Sequence, residues 1–126
     1  MARKSVTAPN ATSVGPYSHA VDADPYVYLS GQTPLDSATG RLVEGTVGDQ
    51  TRQCFANLLA VLTAAGLTFD DVVKCSVFLT NMADFPAMNE VYAQQFTAPY
   101  PARTTIGVAS LPLGARVEIE LVAKRS

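Results

Sequence analysis

Histidine and cysteine are scarce in this chain, which has one histidine and two cysteines in 126 residues. His19 has no second imidazole with which to share a metal. Cys54 and Cys75 lie in separate apolar segments, without the close spacing of a zinc or redox motif. No metal-ligand set is expected, and the two thiols read as buried and free, as in a reducing compartment. Charge is sparse as well: 16% of residues are charged, with 9 basic against 11 acidic and a formal net charge of -2. No basic stripe is present to follow a phosphate backbone, so nucleic acid is not an expected partner. Long apolar runs are missing too. "FANLLAVLTAAGL" is too short and interrupted to span a bilayer, and "MARKSVTAPNATS" turns polar after its basic residues, unlike a secretory signal. A soluble, cytoplasmic protein without a membrane partner is expected. Internal repeats and low-complexity tracts are absent.

What is present is a 48% apolar composition, enough for residues 1–126 to form one compact domain that buries about two-thirds of its unfolded surface. Strand signals fall at residues 4–8, 18–23 and 26–31, with Asp24 and Pro25 breaking the last two apart. "TPLDSATGRLVEG" reads as an irregular connection. Thr46 followed by Asp49 makes a capping signature, and Thr51, Phe55, Leu58, Leu59, Leu62 and Ala65 recur at helical spacing until Gly66. "DVVKCSVFLT" alternates as a strand, with Val73, Cys75, Val77 and Leu79 assigned to one face. A second helix is predicted from near Asp84, with Pro86 in its first turn and Met88, Val91, Tyr92, Gln95 and Phe96 inward. Two more strands follow at 103–108 and 116–123.

Strands and helices in this order predict an α+β domain, a mixed sheet with both helices on one face. Arg103, between the prolines of "PYPART" and a run of strand formers, is the residue that most needs explaining, because arginine is seldom buried without a partner. If Ile106 and Val108 meet the helices, Arg103 points to the opposite face, together with Glu118. Phe78 and Val122 also fall on that helix-free face, which implies that another subunit covers it.

"GPYSHA", "YLSGQTP", "NEVYAQQF", "PYPART" and "LPLGARVEIELVA" together resemble, in order and over nearly the whole chain, the RidA-type reactive-intermediate deaminases. The resemblance implies a chorismate-mutase-like fold with a six-stranded sheet. It also implies a homotrimer whose sheets form a central barrel, and a site in each cleft between subunits. The implied activity is hydrolysis of 2-imino acids, such as 2-iminobutanoate and 2-iminopropanoate, to 2-oxo acids and ammonia without a cofactor. These imines derive from enamines such as 2-aminoacrylate. Two other functions remain open from the same residues: a non-catalytic trimer that binds small carboxylates or shields protein surfaces, and the endoribonuclease role proposed within the family.

By the same resemblance, Arg103 grips the substrate carboxylate through paired hydrogen bonds. The bland alternative is a surface arginine paired with an acid. Glu118 would orient or deprotonate the attacking water, or else simply balance Arg116 or Lys124. Strand parity does not separate it from Glu120. Tyr17 matches a pocket tyrosine, and Ser30 with Gly31 matches an element where backbone approaches ligand; a buried ring and a strand-ending turn are the structural alternatives. Asn89 matches a site position or caps a helix. Thr105 stands where relatives commonly carry cysteine, which excludes a thiol-dependent mechanism there and bears on substrate preference. Ser18 and His19, adjacent on a strand, point to opposite faces and do not pair, so His19 reads as structural.

Overall fold

In the computed structural model, which describes residues 2–9 and 15–126, six strands and two helices form two layers. The strands are β1 (Lys4–Val6), β2 (Ala20–Ala23), β3 (Tyr26–Gln32), β4 (Val72–Leu79), β5 (Ala102–Gly107) and β6 (Val117–Lys124). The helices are α1 (Val47–Ala64) and α2 (Phe85–Ala93). They make one mixed sheet in the order β1-β2-β3-β6-β4-β5. Every pairing is antiparallel except β4 with β5. A parallel pair needs a crossover rather than a hairpin, and α2 supplies it between β4 and β5.

Local chemistry sets α1. Thr46 caps Asp49 N–H at 3.1 Å while the Asp49 carboxylate returns to Thr46 N–H at 3.0 Å, so two otherwise orphaned donors are satisfied. Such a cap contributes about 1 kcal/mol. The inner face of α1 carries Cys54, Phe55, Leu58, Val61 and Leu62 onto Val27, Val77, Ile119 and Leu121 of the sheet. Phe55 meets Phe69, Tyr92 and Phe96 edge-on at 5.8–6.0 Å, which ties α1 to α2. A fully buried ring of this kind contributes about 3 kcal/mol.

Three expectations are revised. Val73 is 41% exposed and Val72 is buried instead, because β4 bulges there: Val72 pairs with Ala123 and Lys74 with Val122, leaving Val73 as the extra residue. Gln95 and Phe96 lie beyond the end of α2, although Phe96 is still buried. The largest change concerns β5. Arg103 pairs with Cys75 and Thr105 with Val77, residues that face the helices, whereas Ile106 pairs with Phe78 on the open side. Paired residues share a face, so Arg103 is on the helix side and Ile106, 45% exposed, is on the other. Hydrophobicity misassigned this strand because β5 is the sheet edge. What covers it is the polar-aromatic side of α2 rather than an aliphatic core.

Candidate functional site

The residues singled out in the sequence divide into two groups on opposite faces of the sheet. On the helix side, α2 presents Phe85, Asn89 and Tyr92 at i, i+4 and i+7, one stripe of a helix, toward β5. Arg103 lies in this stripe. Its Nη1 donates to Asn89 Oδ1 at 2.6 Å, and its guanidinium carbon sits 4.5 Å from the Tyr92 ring centre and 5.4 Å from that of Phe85. A cleft of about 420 Å³ opens beside it, lined by Asn89, Tyr92, Ala93, Tyr100, Pro101 and Arg103. Arg52, Arg116 and Arg125 pair with Asp49, Asp84 and Asp22, but Arg103 makes no ion pair among the described residues. The surface-salt-bridge account therefore fails for this arginine. One of its five N–H donors is committed to Asn89, and the others remain for an anion.

Asn89 is the fifth residue of α2, too far inside to cap it; its side chain serves Arg103 instead. Thr105 shares the helix-facing side, but its Oγ1 is buried, without a hydrogen-bond partner among the described residues, and it does not line the cleft. The buried Cys75 thiol opposite Arg103 is pushed up to about 12 by burial, against the pull of the Arg103 charge. Burial also raises Cys54 well above its usual value, with the Glu118 charge adding to it. Both thiols are free and protonated at neutral pH.

The second group lies around Glu118 on the open face. Leu29 pairs with Leu121 and Gln32 with Ile119, so Ser30 and Gly31 together oppose one residue of β6, forming a bulge. The bulge brings Gly31 against Glu118: a Cβ placed on Gly31 would lie 2.8 Å from Glu118 Oε2. Ser30 Oγ donates to the Ser18 carbonyl at 2.6 Å, and Ser30 N–H donates to that of His19 at 2.9 Å. These bonds fasten the segment that carries Tyr17, which is exposed and whose N–H closes a turn onto the Gly15 carbonyl at 2.9 Å. His19 is structural: its Nδ1 accepts the Ala8 N–H at 3.0 Å, holding the N-terminal segment to the sheet.

Structure also separates the two glutamates. Glu120 is exposed opposite Ser76, whereas Glu118 is half-buried opposite Phe78 and against Gly31. Glu118 makes no ion pair among the described residues, with Arg116 or Lys124 or any other cation. Burial raises its carboxyl above the ordinary glutamate range, and the Glu120 charge raises it further. A carboxylate in that condition is suited to accept a proton.

The Gly31 contact predicts a separation of activity from stability. In Gly31→Ala the methyl group meets the mobile end of Glu118, not backbone, so the carboxylate can swing aside at small cost to the fold. A displacement of about 1 Å at a catalytic group is enough for a roughly hundredfold loss. The expected result is a thermal midpoint near wild type with turnover down tenfold or more; a crystal structure with Glu118 unmoved and full turnover would refute it.

Sequence reasoning missed Phe85 as a site residue and read Tyr92 as core alone. Their signal was the spacing of Phe85, Asn89 and Tyr92 in "FPAMNEVY", readable only once Arg103 is known to face that stripe. Among the described residues no cluster of side chains suits a metal ion, and no helix is long and apolar enough to cross a membrane.

A small α+β protein whose described residues leave an arginine without an ion pair in one cleft, and a half-buried carboxylate on the far face of the same sheet, carries groups that suit a carboxylate-binding hydrolase. The chain belongs to the RidA family, whose model, described as endoribonuclease L-PSP, matches residues 7–125. It is 48% identical to the 2-iminobutanoate/2-iminopropanoate deaminase of Dermatophagoides farinae, over 86% of this chain and 85% of that protein. Among solved structures, RidA from an Antarctic Psychrobacter matches with a TM-score of 0.92 at 42% identity, over 97% of this chain and 99% of that one. E. coli TdcF with bound serine matches with a TM-score of 0.91 at 40% identity, over 98% and 99%.

Proposed function

We propose that this protein hydrolyses 2-imino acids to 2-oxo acids and ammonia, with 2-iminobutanoate and 2-iminopropanoate as the substrate class. The observation that carries the reading is Arg103, held by Asn89 and two rings with no acid to neutralise it among the described residues. Its planar fork suits a small carboxylate, and the name of the Dermatophagoides farinae relative and the serine bound in TdcF point to such ligands. With the carboxylate fixed, the neighbouring imine carbon has a defined place. Water adds to that carbon while Glu118 accepts one of its protons and passes it to the imine nitrogen, giving a neutral carbinolamine. Glu118 then takes the carbinolamine hydroxyl proton and delivers it to the nitrogen, the C–N bond breaks as the carbonyl forms, and one water is consumed for each ammonia released.

Arg103 and Glu118 point away from each other across their own sheet, which supports a site completed by a second copy of the chain. In this reading one chain gives Arg103, Asn89 and, through its backbone carbonyl rather than its buried hydroxyl, Thr105, and its neighbour gives Glu118, Gly31, Ser30 and Tyr17. The homotrimer implied by the family resemblance would bury the open face, where Tyr28 is 51% exposed beside Val122 and Phe78 lies farther along, opposite Glu118. Two protonated, unpaired thiols suit a reducing cytoplasm. A net charge of -2 favours a small-molecule partner over RNA.

The test is a coupled assay in which a threonine or serine dehydratase generates the imine and its decay is followed with and without this protein. Faster decay is expected. Arg103→Lys should keep the fold and lose tenfold or more in kcat/KM, because it keeps the charge without the paired donors, at a cost of about 1.5–3 kcal/mol. Ligand binding without acceleration would instead make the protein a carboxylate binder.

A further inference from the structure

We propose that Tyr92 is a positioning residue for Arg103, its ring acting as a fixed platform that holds the guanidinium ready for a carboxylate. The inference rests on the reading of Arg103 as the carboxylate anchor and goes beyond it by assigning the element that aims the anchor. A long side chain on an edge strand would otherwise sample many rotamers, and each lost on binding weakens the grip. Three contacts remove that freedom. Asn89 fixes Nη1, Phe85 lies 5.4 Å from the guanidinium carbon, and Tyr92 lies closest at 4.5 Å. The negative face of an aromatic ring attracts the cation without using any of its N–H donors, so the ring holds Arg103 while leaving its hydrogen bonds for substrate.

Tyr92 is suited to this because it is itself immobile. It is 6% exposed, packs at 5.0 Å on Phe96 and 6.0 Å from Phe55, and belongs to the helix that also supplies Asn89. Its hydroxyl is buried without a hydrogen-bond partner among the described residues, and burial pushes its pKa up to about 12. The hydroxyl therefore neither ionises at working pH nor anchors the ring. The ring face is what remains to act, and phenylalanine should replace it.

Three variants separate the platform from simple packing: Tyr92→Phe, Tyr92→Leu, and pentafluorophenylalanine incorporated at position 92, which keeps the ring's shape but reverses the charge of its face. Each is titrated calorimetrically with 2-oxobutanoate, assayed for imine hydrolysis and melted. Tyr92→Phe should bind within about threefold of wild type. The pentafluoro ring should bind roughly tenfold or more weakly, with KM rising by a like factor and the melting temperature unchanged; Tyr92→Leu should show the same loss plus a lower melting temperature. Equal affinities for the phenylalanine and pentafluorophenylalanine proteins would overturn the platform, as would a wild type that does not bind 2-oxobutanoate. Ring-dependent binding in a wild type that leaves imine decay unchanged would uphold the platform and overturn the hydrolase reading.

Discussion

Glu118→Gln should lower turnover by roughly a hundredfold or more while leaving affinity for a 2-oxo acid nearly unchanged. The amide keeps the shape of the side chain against Gly31 but cannot take a proton from water. In the wild type, activity should fall as pH drops through a value above the ordinary glutamate range, since burial, and then the Glu120 charge, favour the protonated and inactive form. Glu120→Gln should move that acid limb to lower pH. Stability runs the other way. Because the folded state raises the pKa of Glu118, the group contributes stability below its unfolded pKa that is lost as pH rises through the folded value. The glutamine variant should therefore melt no lower than wild type at neutral pH, and any advantage should shrink as the solution is acidified. If only KM changes, or if the variant is as active as wild type, Glu118 is not the base.

Mixing two inactive variants should restore about a quarter of wild-type activity. Arg103→Ala removes the anchor from one face of the sheet and Glu118→Ala removes the carboxylate from the other. If each cleft draws these residues from different chains, unfolding and refolding an equal mixture into cyclic trimers leaves about one cleft in four with both side chains intact. A cleft built within one chain would recover nothing. Light scattering of the refolded mixture fixes its mass, and subunit exchange is followed with tagged chains. A mixture that exchanges yet stays inactive would eliminate the shared cleft.

Much of this site was legible from residue types, and the illegible part has a definite cause. The capping pair Thr46 and Asp49 predicted the start of α1 because both bonds close within three residues. β6 alternated as expected because it lies inside the sheet, where one face must be apolar. β5 defied the same rule. At an edge, next to an aromatic helix stripe, an arginine satisfied by Asn89 and two rings is as acceptable inward as an isoleucine is outward. Val73 was misplaced because a bulge advances the strand by one residue without altering its composition. Neither Glu118 nor Glu120 carried a mark in the alternation itself; the bulge at Ser30 and Gly31, on another strand, tells them apart.

By itself, then, the sequence determined what depends on near neighbours: the helix caps, the strand periods, the α+β class, the unpaired thiols and, through five ordered motifs, the family. Only the tertiary structure decided which face Arg103 occupies, that Asn89 and Tyr92 hold it, and that Glu118 stands behind the sheet from it. The physical reason is that strand pairing and helix docking join residues far apart in the chain. Whether a side chain is neutralised, stacked or left available for a ligand follows from those contacts and not from its place in a repeat.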